Sequence, residues 1–224
     1  MRILLTGFEP FGGNAINSSE QVVLALRGQR LSGIELHTAI LPVDYERGPS
    51  TLLQVVETVQ PDVVLCLGEA RGRMRISIER VAINLLDFRL ADNRGHQIVD
   101  APVVAGGPAA YFATLPVRAM LHALVAEDIP AELSLSAGAF LCNQVAYVLL
   151  RHISERRRPY RAGFIHLPVT PEQAAREPAP VASMSLETMR HGLQVVIGVL
   201  AAPTLVENDA AIAGPEGYGL PVAG

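Results

Sequence analysis

Two cysteines in the 224-residue chain, Cys66 and Cys142, stand in opposite chemical settings. Cys142 follows Ser136-Ala-Gly-Ala-Phe-Leu and precedes Asn143-Gln-Val-Ala-Tyr-Val-Leu-Leu, which places it where a loop becomes a helix. A helix N-terminus lowers a thiol pKa and aims free backbone N–H groups at a bound oxyanion. That setting suits a nucleophile; it also suits a packed, inert thiol. Cys66 lies inside the apolar run Asp62 to Leu67 and reads as core.

A nucleophilic thiol needs a proton acceptor. His37 falls in a strand pattern, and His122, His152 and His191 fall in amphipathic helices, where structural or exposed roles are expected. His166 differs, because it ends the apolar strand Gly-Phe-Ile-His-Leu just before Pro168. Open α/β sheets bind their ligands at such strand ends. Glu79 is a carboxylate inside an Ile/Val/Ala strand, where burial is costly unless the charge is paired. It either salt-bridges Arg80 or Arg89, or orients a catalytic imidazole. No HExxH, CxxC or acidic cluster at ligand spacing is present, so no metal is expected. The Gly-Phe-Glu-Pro-Phe-Gly-Gly loop lacks the Gly-Lys-Ser/Thr ending of a phosphate loop.

Strand and helix patterns alternate around these residues. Strands are expected at Met1 to Thr6, Ile34 to Leu41, Asp62 to Leu67, Arg75 to Asn84, Glu132 to Ser136 and Gly163 to Leu167. Helices are expected from a capping box at Ser18, at Ser50 to Val59, Pro116 to Glu127, Cys142 to about Ile153, and Leu186 to Leu200. Leu85 to Pro108 reads as a long loop. The alternation predicts a layered α/β domain with a mostly parallel sheet. Residues 1–200 would form it, and the Ala/Gly/Pro-rich residues 201–224 would be a tail packed on the domain or on a neighbouring subunit.

Half of the residues are hydrophobic and 18% are charged, enough for one sizeable core. A net charge of -4 gives no reason to bind nucleic acid or an anionic membrane. The one basic cluster, Arg151 to Arg161, reads as a solvated helix end and loop. No apolar run approaches the roughly 20 residues of a membrane span, nor does the N-terminus show a secretory core of roughly 7–15. A cytoplasmic location with reduced thiols is therefore expected.

Five separated motifs resemble the pyroglutamyl peptidase I (pyrrolidone-carboxylate peptidase) family in the family's own order. They are GFEPFGG at Gly7 to Gly13 with Asn17, ERVAINLLDFRLADNRG at Glu79 to Gly95, GGPAAY at Gly106 to Tyr111, SAGAFLCNQVAY at Ser136 to Tyr147, and GFIHLPVTPEQ at Gly163 to Gln173. The resemblance implies a single three-layer α/β/α domain, cofactor-free and often homotetrameric, that releases N-terminal pyroglutamate from peptides through a thioester acyl-enzyme. It implies Cys142 as nucleophile, His166 as base and acid, and Glu79 as the orienting carboxylate. Phe8 and Phe11 would line the ring pocket, Asn17 would hydrogen-bond the lactam, Arg89 would sit near the oxyanion, and Phe140 and Leu141 would complete the apolar wall. Two positions depart from the family pattern: Glu69 replaces a glutamine and Val43 a threonine. Both bear on substrate contact, and Glu69 on the pocket's polarity. Two rivals stay open at this level. One is a phosphorylase-like enzyme with an anion site built from Gly7 to Gly13, Arg71 and Arg73. The other is a binding module without turnover.

Overall fold

The computed structural model describes residues 1–156 and 160–202. In chain order the elements are β1 (Arg2–Phe8), α1 (Ser18–Leu26), β2 (Glu35–Leu41), α2 (Arg47–Val59), β3 (Val63–Glu69), β4 (Ile76–Glu79), β5 (Val81–Ile83), β6 (Ala110–Phe112), α3 (Val117–Ala126), β7 (Ala131–Ser134), α4 (Leu141–Arg156), β8 (Arg161–Leu167), α5 (Pro171–Ala174) and α6 (Leu186–Ala201). Six strands form one sheet in the order β2-β1-β3-β8-β4-β7. The first four run parallel; β4 is antiparallel to β8, and β7 is parallel to β4.

The apolar strands are buried because helices cover both faces. Ile3, Leu5, Val63, Leu65, Leu67, Ile76, Ile78 and Ile165 pack with residues of α1, α3 and α6. Leu4, Val64, Cys66, Ala162 and Phe164 point the other way, onto α2 and α4. This is the expected three-layer α/β/α domain with a mostly parallel mixed sheet.

Three local expectations need correction. Arg75 to Asn84 does not form one strand. The chain turns at Arg80, so β4 joins the main sheet while β5 pairs with β6 in a separate two-stranded sheet. Alternation reports the period of a strand but not its partner. Helix α1 is capped by Asn17 rather than Ser18: the Asn17 side chain accepts from Ser19 N. The short α5, closed by a reciprocal Thr170/Gln173 cap, and the strand β6 are additional elements. The expected tail packing concerns residues beyond 202, which lie outside the described residues, as does part of the Arg151 to Arg161 cluster.

Candidate active site

The carboxyl ends of β3 and β8 bring the chemistry together. Gly68 and His166 are direct cross-strand partners, so their side-chain directions share a face of the sheet. A Cβ on Gly68 would lie 2.7 Å from Cys142 Sγ and 2.8 Å from Phe164 Cζ. The thiol therefore sits directly over Gly68, on the His166 side. Only glycine leaves room for it.

Glu79 reaches the same face from β4, where it is paired with Phe164, two residues from His166 on β8. His166 Nδ1 lies 2.7 Å from Glu79 Oε1. With an ionised carboxylate as acceptor, Nδ1 carries the proton and Nε2 keeps its lone pair. Both side chains are buried. Glu79 also carries an ion pair, though with neither Arg80 nor Arg89. Its partner is Arg73, whose Nη1 lies 2.9 Å from the same Oε1. Arg73 Nη2 also donates to the Ser136 carbonyl at 2.8 Å. Glu79 Oε2 is buried and has no hydrogen-bond partner among the described residues.

Cys142 is the second residue of α4, as its loop-to-helix context predicts. The expected fall in its pKa is overturned. Burial pushes the thiol up to about 12; the Glu79 charge adds to this, and Arg73 opposes it. Desolvation outweighs the helix terminus. Burial likewise lowers the His166 pKa, against the hydrogen bond and charge of Glu79. At neutral pH the pair is a thiol beside an imidazole. Cys66 is a buried core thiol, also pushed up to about 12 by burial.

Beside the thiol opens a narrow cavity lined by Phe8, Phe11, Asn17, Val43, Glu69, Phe140, Leu141 and Cys142. All the residues expected to contact substrate line it except one. Arg89 is exposed and stands outside this lining. The arginine that reaches Glu79 beside His166 is Arg73, whose place in an Arg/Gly-rich connection gave no hint of its partner. Phe88 was also missed. It packs edge-on against Phe140, their centroids 4.6 Å apart, and Phe140 in turn meets Phe11 at 6.0 Å.

The loop from 85 to 108 holds this wall in place. Asp87 N donates to Ala139 O, and Asn93 Nδ2 donates to Glu9 Oε1 and to Pro10 O. Glu9 Oε1 also accepts from Val43 N at 2.9 Å. Asp92 accepts from the backbone N–H groups of Tyr45, Arg94 and His96. Its pKa is lowered, because these hydrogen bonds outweigh the opposing effect of burial. At the polar end of the cavity, Glu69 Oε2 accepts from Ser18 N at 2.7 Å and Gln173 Nε2 at 2.8 Å. Arg71 is ion-paired with Glu177. With Arg73 bound to Glu79 as well, the arginines of the imagined phosphate site are both engaged.

The family model described as pyroglutamyl peptidase matches residues 1–202. A pyrrolidone-carboxylate peptidase of Vibrio vulnificus is 50% identical over 196 residues, covering 88% of this chain and 91% of that protein. One from Gloeobacter violaceus is 50% identical over 200 residues, covering 89% and 97%. Among solved structures, Bacillus amyloliquefaciens pyroglutamyl peptidase I superposes with a TM-score of 0.86 at 39% identity, covering 90% of this chain and 97% of that one. A mutant pyrrolidone carboxyl peptidase from Pyrococcus furiosus gives 0.87 at 39% identity, covering 92% and 100%. With the family model spanning all of its described residues, the chain belongs to the pyroglutamyl peptidase family.

Proposed function

We propose that this peptidase removes an N-terminal pyroglutamyl residue from peptides through a Cys142 thioester, with His166 as base and acid and Glu79 as the orienting carboxylate. The observation that carries the reading is the stacking of the Cys142 sulfur over Gly68, beside a His166 whose Nδ1 is bound to Glu79. The thiol and imidazole start neutral, so His166 Nε2 takes the thiol proton as sulfur attacks the pyroglutamyl carbonyl. The first N–H groups of α4 precede the Gln144 N to Phe140 O bond and lack intrahelical acceptors; they receive the oxyanion. The imidazolium protonates the leaving amine. Water, deprotonated by His166, then cleaves the thioester and restores the thiol.

The cavity's hydrogen-bond inventory fits a neutral lactam. Asn17 Oδ1 is occupied by Ser19 N and Ser19 Oγ, and one Nδ2 hydrogen goes to Glu9 O. The remaining Nδ2–H donates to the lactam carbonyl. Glu69 Oε2 is occupied, leaving Oε1 to accept the lactam N–H. Phe8, Phe11, Val43, Phe140 and Leu141 cover the ring. A free N-terminal ammonium would lose its hydration against the apolar ring wall, at a cost of several kcal/mol, and Glu69 is the one charged group in the lining to offset it.

Residues 1–200 are read as one peptidase domain, supported by a sheet that draws strands from both halves of the chain. A homo-oligomer, tetramer or dimer, is supported by large apolar side chains left exposed, Met74, Val99, Phe112 and Leu135 among them. No helix among the described residues is long and apolar enough to cross a membrane; two free thiols are consistent with a cytoplasmic location.

The deciding experiment is release of pyroglutamate from a chromogenic amide. Cys142→Ala abolishes it and Cys66→Ala retains it. Turnover by the Cys142 variant near that of the parent would defeat the assignment.

A further inference from the structure

Arg73 has a place in the site that the roles above leave unused. It lies in the connection between β3 and β4, and its side chain is about three-quarters shielded, with 24% exposed. One guanidinium nitrogen pairs with Glu79 Oε1 at 2.9 Å, the atom that also holds His166 Nδ1 at 2.7 Å. The other reaches the carbonyl of Ser136, where the loop to Cys142 begins. One planar fork thus joins the orienting carboxylate to the segment that carries the nucleophile. Such a fork suits two fixed acceptors, because its donors are preorganised.

We propose that Arg73 is a positioning residue for catalysis: by holding Glu79 Oε1 and the Ser136 carbonyl together, it sets the carboxylate against His166 and the imidazole against the Cys142 thiol. The inference rests on the roles proposed for Cys142, His166 and Glu79. A buried carboxylate with an unpartnered Oε2 would otherwise pull strongly on the imidazolium. Arg73 puts a positive charge on the same oxygen and offsets that pull. Its charge acts downward on His166 and on Cys142 alike. Among the described residues, the charged groups acting on His166 are Glu79 from β4 and Arg73 from the β3–β4 connection. From β3 the facing residue is Gly68, from β4 the neutral Ser77, and from α4 the neutral Cys142 thiol.

The test is the pH dependence of kcat/KM for a pyroglutamyl amide in Arg73→Gln, Arg73→Lys and Arg71→Gln, with Cys142→Ala in parallel. Arg73→Gln should lower kcat/KM at pH 7 by about 10- to 100-fold. It should also move the acid limb to higher pH and slow alkylation of Cys142. Arg73→Lys keeps the charge but not the fork, so it should return the limb to its original position while its kcat stays below that of the parent. Arg71→Gln should not move it. A fall in activity with the limb and alkylation rate unchanged would show a merely structural ion pair and overturn the inference. Should Arg73→Gln not fold, Arg73→Lys decides alone. A lower kcat at unchanged KM and melting temperature supports the inference, and an unchanged kcat overturns it. If Cys142→Ala turns over substrate, the underlying roles fail; if it is inactive while the Arg73 limb stays put, only the Arg73 inference fails.

Discussion

His166 Nδ1 is bound to Glu79 Oε1, and the imidazole is buried, so its proton affinity balances desolvation and the Arg73 charge against one carboxylate. Desolvation lowers the pKa from the ordinary histidine value and dominates; Glu79 raises it. In the proposed reaction neutral His166 is the active form, so kcat/KM rises with pH as the imidazole loses its proton. The acid limb should lie below about 6.5, the unperturbed value. The thiol, pushed up to about 12, should give no falling limb near neutrality. Glu79→Gln removes the group that raises the His166 pKa. The limb should therefore move to lower pH, and kcat should drop by about 10³–10⁴. A pH–rate profile checks both; a limb unmoved, or moved upward, would contradict the orienting role.

Helix α4 presents Cys142 accurately only if its first turn is anchored. Asn143, fully buried, does this: its Oδ1 accepts from Ile83 N at 2.8 Å, and its Nδ2 donates to Ile83 O and Leu85 O. These three bonds tie the helix start to β5 and to the loop that supports the aromatic wall. Asn143→Ala would break all three and leave a strand N–H without its partner. At about 1 kcal/mol net for each bond, the loss is about 3 kcal/mol. Urea denaturation should show one transition in both parent and variant, displaced by that amount. A shift under about 1 kcal/mol would mean that the clamp is not needed, and two parent transitions would divide the proposed domain. The split of Arg75 to Asn84 at Arg80 belongs to this scale too. It sends β4 into the main sheet with Glu79 and β5 away to meet Asn143.

At the scale of the whole molecule, the sheet places its parallel strand ends, the α4 N-terminus and three loops around one narrow cavity. Exposed Phe112, Val99, Met74 and Leu135 leave apolar surface outside it. Sedimentation equilibrium should accordingly give two or four times the 24.0 kDa chain mass; a monomer at assay concentration would remove the proposed oligomer.

What the sequence determined by itself was the set of chemical types and their order: a thiol at a helix start, a histidine at a strand end and a carboxylate in an apolar strand. The alternation of elements also gave the layered fold, because hydrophobic period follows directly from which face of a strand or helix is buried. The family motifs pointed to Phe8, Phe11, Asn17, Phe140 and Leu141, and the departures from the family pattern to Val43 and Glu69; all seven line one cavity. Tertiary structure alone decided which charges meet. Glu79 could have paired with either sequence-near arginine, and it pairs with Arg73 instead, since a side chain's partner depends on strand register and loop path. The same holds for Arg89, which its motif placed near the reaction and the fold leaves exposed. The protonation of Cys142 was likewise invisible from its helix position, because desolvation is a property of the packed surroundings rather than of the local chain.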